Sequence, residues 1–348
     1  MLRPVRAIPV RVRAIAGAAP LVLSALALFF PSAALAQHNG RSSSPTSPNH
    51  RPPPPPPTSP YGSDISYPQC GTQFPTGPTF GMVGVDDGIA NMANPCLGPY
   101  NGGAGTSELY WGSLLSGDTS QPPVALYVNT ADPGNTYKRQ PIADWPKPGA
   151  TAGLTNPYDQ CAADPSNSLL GANSTGCAWV YGADIASLDA SSGVPLTGTA
   201  STSFLTSAST ALQFLSASVS GNASSYQWWL DVETANTWQS GSANALAMND
   251  AVLEGMLQYL KSLNVTLVGI YASSSSWQTI TGGQNTIESN WTAAGNPSPS
   301  PLYGVPDWLP GASSQSSAIS NCSSTSFTDG RIDLAQWVQS SLDYDQSC

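Results

Sequence analysis

An α/β fold is what the sequence predicts for residues 61–348: a single (β/α)8-like barrel of the TIM type, irregular in its last third and held by disulfides. Three observations lead there. Short apolar runs rich in Val, Ile, Tyr and Trp recur along the chain with helix-spaced stretches between them, the alternation that builds parallel sheets. Several of these runs lack polar alternation, as strands covered on both faces do. Six cysteines, an even set, follow an N-terminus that reads as an export signal, so disulfides are expected.

The elements follow in order. Arg3, Arg6, Arg11 and Arg13 precede the apolar run Ala14 to Phe30, and Ala34-Leu35-Ala36 offers a cleavage site, so residues 1–36 read as a signal peptide. The mature protein is then secreted or held at the cell envelope, with no membrane insertion after cleavage. Residues 37–60 are mostly Ser, Pro, Asn and Thr, with the run Pro52 to Pro57; they cannot bury a core and should form an extended linker. Tyr61 to Ser66 reads as the first strand, Phe80 to Val85 as the second and Val124 to Asn129 as the third, with helical spacing from Glu108 to Leu115. Residues 135–200, rich in Gly, Pro, Asn and Ser, read as a long loop insertion that shapes a cleft. Helical spacing returns over Ser203 to Val219, and Tyr226 to Thr234 is the fourth strand. A long helix over Ser242 to Leu263 leads to a fifth strand, Val265 to Tyr271. Leu302 to Trp308, Ile332 to Val338 and Ser341 to Tyr344 complete a parallel set, one helix short.

Composition prunes the chemistry. Both histidines, His38 and His50, fall in the linker, so the barrel domain can build no Ser-His-Asp triad, Cys-His pair or His-ligated zinc site. Carboxylates remain. All 21 acidic residues follow Ser63 while only five basic residues do, which leaves the domain at about −16 and argues against nucleic acid and anionic membranes as partners. No cofactor or metal is required, and a monomer is expected. Six thiols allow 15 pairings; bridges between sequence neighbours are expected, Cys70 with Cys96, Cys161 with Cys177 and Cys322 with Cys348.

Candidate chemistry gathers in Tyr226 to Thr234. On a strand Asp231 and Glu233 share a face with Cβ atoms roughly 6 to 7 Å apart, a spacing that suits two carboxyls flanking one bond of a bound sugar. One would stay protonated to donate while the other stays ionised. The ordinary alternative is a solvated strand end.

The order of motifs resembles the glycoside hydrolase family 25 lysozymes, secreted β/α barrels that cleave bacterial cell-wall glycan. Asp64-Ile65-Ser66 is similar to the family's opening Asp-x-Ser, and Leu230-Asp231-Val232-Glu233 to its central Asp-x-Glu. Gly269-Ile270-Tyr271, Gln336-Trp337 and Asp343-Tyr344-Asp345 resemble its later strands, the last with Asp where the family has Asn. The resemblance implies a hydrolase of β-linked amino-sugar glycan such as peptidoglycan. Glu233 would be the general acid, Asp231 the group that orients the 2-acetamido group or stabilises the oxocarbenium-like centre, and Asp64 and Asp343 the rest of an acidic floor. Trp229, Tyr271, Trp308, Trp337 and Asp87 would contact substrate. The second and third strands lack the family's Lys-x-Thr-Glu-Gly and Tyr-His-Phe patterns, which puts the substrate in doubt. A non-catalytic glycan-binding or envelope protein on the same scaffold is the rival.

Overall fold

The computed structural model describes residues 60–136, 145–191 and 202–348. The expected signal segment and the linker up to Ser59 lie outside the described residues. The chain runs β1 (Gly62–Ile65), β2 (Phe80–Gly84), α1 (Glu108–Ser113), β3 (Val124–Asn129), β4 (Ala163–Asp164), β5 (Asn167–Gly171), α2 (Thr175–Ala190) and α3 (Phe204–Phe214). It continues with β6 (Trp228–Asp231), α4 (Ala243–Ser262), β7 (Val268–Tyr271), α5 (Ser274–Thr281), α6 (Gln284–Ala293), β8 (Asp307–Ala312), α7 (Gln315–Asn321), β9 (Ile332–Gln339) and β10 (Leu342–Ser347).

Eight of these strands close a barrel in the order β1, β2, β3, β6, β7, β8, β9, β10. Every neighbour from β1 to β9 is parallel, whereas β10 runs antiparallel to both β9 and β1. The expected all-parallel set is corrected here. Ser340 and Ser341 both take left-handed φ angles, 56° and 63°, which makes a two-residue hairpin turn whose twist matches the flanking strands. No crossover helix is needed, and none is missing.

The sixth strand also moves, from 302–308 to 307–312. Pro299, Pro301 and Pro306 remove backbone donors before Asp307, and Leu302 and Tyr303 lie in a turn. Asp307 then anchors the strand start by accepting from Phe327 N at 2.8 Å and Thr328 Oγ1 at 2.7 Å.

Residues 135–200 are more than an insertion. They hold the hairpin β4–β5 and, against expectation, the helix α2, which packs along α4 as part of the outer layer. This helix is buried nearly all round, so it has no apolar stripe to announce it. Its contact with α4 is close enough that a Cβ on Gly182 would lie 2.0 Å from Val252 O, and one on Gly255 would lie 2.1 Å from Trp179 O.

Two apolar layers result. Trp179, Trp228, Leu230, Val252 and Met256 fill the space between helices and barrel, while Phe80, Met82, Ala125, Trp229, Trp308 and Leu334 fill the barrel itself. Alternation along β6 therefore turns Trp228 and Leu230 outward and Trp229 and Asp231 inward. The three expected disulfides are all present.

Candidate active site

Inward positions near the C-terminal ends of the parallel strands carry the polar residues, the end where barrels of this kind place their chemistry. Asp64 comes from β1, Asp231 from the last position of β6, Tyr271 from the last of β7, Gln336 from β9, and Asp343 and Asp345 from β10. Asp345 pairs with Gly62 across the antiparallel seam, so Asp343 comes level with Asp64 at the barrel mouth. Glu233 sits in the turn just beyond β6. Its carbonyl accepts from Asn236 N at 3.1 Å and Trp238 Nε1 at 2.8 Å, which fixes the turn.

These acids feel one another. Burial and then Asp343 push Asp64 up to about 8, against hydrogen bonds from Gln336 and Asp345 that pull it back. Asp231, buried, is raised well above the usual carboxylate range by desolvation, then by Glu233, Asp64 and Asp86. Glu233, half-buried, is raised by desolvation and by Asp343, and Asp343 by its own desolvation. Tyr271 is raised chiefly by burial and then by the charges of Glu233, Asp231, Asp64 and Asp343. No lysine or arginine among the described residues contributes to these shifts. Crowded acids without a counter-charge keep protons near neutral pH, and that is how an enzyme holds a carboxylic acid ready to donate.

The hydrogen bonds are directional. Tyr271 OH donates to Gln336 Oε1 at 3.0 Å, and Gln336 Nε2 donates to Asp64 Oδ2 at 2.9 Å. Asp231 Oδ1 is buried with no protein partner. The three-donor cluster of the described residues that could grip a cation is Cys70, Cys96 and Glu108, and both its sulfurs are spent in a disulfide.

The expected site residues divide. Asp64, Asp231, Glu233, Asp343 and Tyr271 come together. Trp229, Trp308 and Trp337, expected on the sugar, are 0%, 2% and 0% exposed, and their placement offers a sugar no face. Trp229 and Trp308 are the barrel filling beneath the acids, 5.9 Å apart edge to face, and Trp337 turns outward to stack on Tyr344 at 5.3 Å. Packing of a barrel interior consumes large aromatics first. Asp87 lies in the loop after β2, where its side chain bonds the backbone of Ile89, a turn-forming role. The neighbouring Asp86 is fully buried; it accepts from Asn129 N at 2.9 Å and bonds Asp189 of α2.

Tyr67 stands in none of the motifs that mark the acids. This residue is 44% exposed on the turn after β1, and its ring lies over Gly88 so closely that a Cβ there would meet Cε1 at 2.9 Å. Ser66 Oγ donates to Asp86 O at 3.3 Å and Cys70 bonds Cys96, so the loops after β1 and β2 form one rim. An aromatic followed directly by proline, Tyr67-Pro68, was the available signal.

Residues 172–297 match the family model Lysozyme-like protein 1. That segment runs from α2 through α6 and contains Asp231, Glu233 and Tyr271, while Asp64 and Asp343 lie outside it. Among solved structures, a muramidase from Trichobolus zukalii aligns at 14% identity over 83% of this chain and 94% of that one, with a TM-score of 0.37. No curated protein matches the sequence.

Proposed function

We propose that the chain is a secreted lysozyme-like glycoside hydrolase of the family 25 kind, cleaving a β-linked amino-sugar glycan such as peptidoglycan with carboxylates alone. What supports this reading is the register that sets Asp343 level with Asp64, together with the mutual electrostatic influence of Asp64, Asp231, Glu233 and Asp343 from three strand ends. The match of residues 172–297 to the lysozyme-like model supports it. Glu233 is half-buried, so substrate can reach it, and its raised pKa keeps the proton that the leaving oxygen must receive. Asp231, beside Glu233, would orient the 2-acetamido group toward the anomeric carbon. Asp64 and Asp343 line the acidic floor, and the charge this crowded group retains would stand beside the developing oxocarbenium ion.

On this account the chain is cut after Ala36, and the linker spaces the barrel from the cell surface. Three disulfides fit an oxidising compartment.

The test measures reducing ends released from peptidoglycan and from chitin oligomers between pH 4 and 8. Glu233→Gln should lower turnover about 10²- to 10⁴-fold, the usual worth of a general acid, with melting temperature and glycan affinity nearly unchanged. Wild-type protein that binds these glycans without releasing ends would be a non-catalytic binder. Protein that does neither would overturn the proposal altogether.

A further inference from the structure

Asp345 plays no part in the mechanism above, yet it is buried completely inside the barrel wall. Its register opposite Gly62 turns it to the same side as Asp64, two residues further along β1, and an added Cβ on Gly62 would run into the Phe80 ring that fills the barrel. Trp308 Nε1 donates to Asp345 Oδ1 at 2.9 Å, and Oδ2 is buried with no hydrogen-bond partner. Asp64 Oδ2 is likewise occupied by the amide of Gln336. Indole N–H and amide N–H groups can only donate, so both carboxyls are acceptors toward the protein, and a hydrogen bond between them requires a proton on one of them.

We propose that Asp64 and Asp345 form an acid dyad that shares a single proton, with Asp345 as the positioning residue that holds the proton and fixes the charge and orientation of Asp64. Two carboxylates this close cannot both ionise cheaply, and the deeper one keeps the proton. The groups facing the pair are Asp343 on β10, Asp231 on β6, Tyr271 on β7 and Tyr127 on β3, and none of them is cationic. Nothing nearby therefore favours loss of the shared proton. The importance of the dyad for turnover rests on the function proposed above; its existence does not.

Asp345→Asn mimics the protonated form, since its amide can donate to Asp64 while its carbonyl accepts from Trp308. The experiment follows denaturant unfolding of wild type and Asp345→Asn from pH 4 to 8. The folded dyad holds a proton that the unfolded chain gives up, so wild-type stability falls as pH rises through this window. The variant should lose its folding equilibrium constant tenfold less steeply per pH unit, the signature of one linked proton. Asp64→Asn should show the same change, because either partner carries the shared proton, and carbon-13 titration of the wild-type side-chain carboxyls reads it without any variant. Parallel curves, together with ordinary titration of both carboxyls, would overturn the dyad. A changed slope in a protein that releases no reducing ends would keep the dyad and remove the hydrolase.

Discussion

Gly182→Ala should destabilise this protein, although the same change in an ordinary helix stabilises. Alanine is favoured over glycine in a helix interior by about 1 kcal/mol. At this position, however, the new Cβ would stand 2.0 Å from Val252 O, and its three nearest neighbours are all backbone atoms of α4. No side-chain rotation relieves that contact. Ordinary contact begins near 3.4 Å, so α2 would have to retreat by about 1.4 Å. A gap of that size forfeits roughly half of the dispersion attraction between the facing side chains. Overpacking typically costs about 1–3 kcal/mol, and a contact that only backbone motion can relieve belongs at or above the top of that range. Set against the propensity gain, the net loss is about 2–4 kcal/mol. For a domain of this size the melting midpoint should drop by roughly 5–10 °C. Gly105→Ala is the control, because Gly105 has a negative φ and nothing within 4 Å of the added carbon. If Gly182→Ala melts at or above wild type, the close approach of α2 to α4 is wrong.

Two further outcomes follow from the acids and the rim. Glu254, fully buried on α4, bonds Tyr158 and accepts from Ser300 Oγ at 2.9 Å, and burial pushes it up to about 8. Its contribution to stability is complete below about pH 4.5 and is lost as pH rises toward 8, so Glu254→Gln should match wild type at pH 4 and exceed it at pH 8 by on the order of 2–5 kcal/mol in urea unfolding. Equal stability of the two proteins at pH 8 would contradict the buried, protonated state. Tyr67→Ala should weaken binding of a chitin oligomer several-fold by calorimetry, the worth of about 1 kcal/mol of aromatic contact, and leave the melting temperature unmoved. Undiminished affinity would remove Tyr67 from the binding surface.

How much was legible depended on which physical signal each residue carried. The second and third strands announce themselves because their branched and aromatic residues are apolar on both faces. The helix from Ala243 starts where Ser242 supplies its cap, accepting from Ala245 N at 3.1 Å. The helix from Thr175 was hidden, since burial on all sides erases the periodicity that marks an amphipathic helix. The hairpin at Ser340-Ser341 was hidden for another reason: left-handed turns are ordinarily written with Asn and Gly, and two serines send no such message. The acids proposed for the site were chosen through motif order and strand parity, and the register of the last strand opposite Gly62 then turns Asp345 inward as well. Tryptophans misled, because a residue able to stack on sugar is equally able to fill a barrel, and only burial tells these apart.

The antiparallel closing strand has a consequence for when the acidic centre is complete. Asp64 is delivered by the first strand and Asp343 by the last, so the acidic centre exists only after the two ends of the domain have met. Contacts of such long range form late and slowly. A nascent or nicked chain lacking its final hairpin would carry Glu233 and Asp231 without the neighbours that tune them. The latch between Cys322 and Cys348 then acts as a safety catch, set only where thiols can be oxidised.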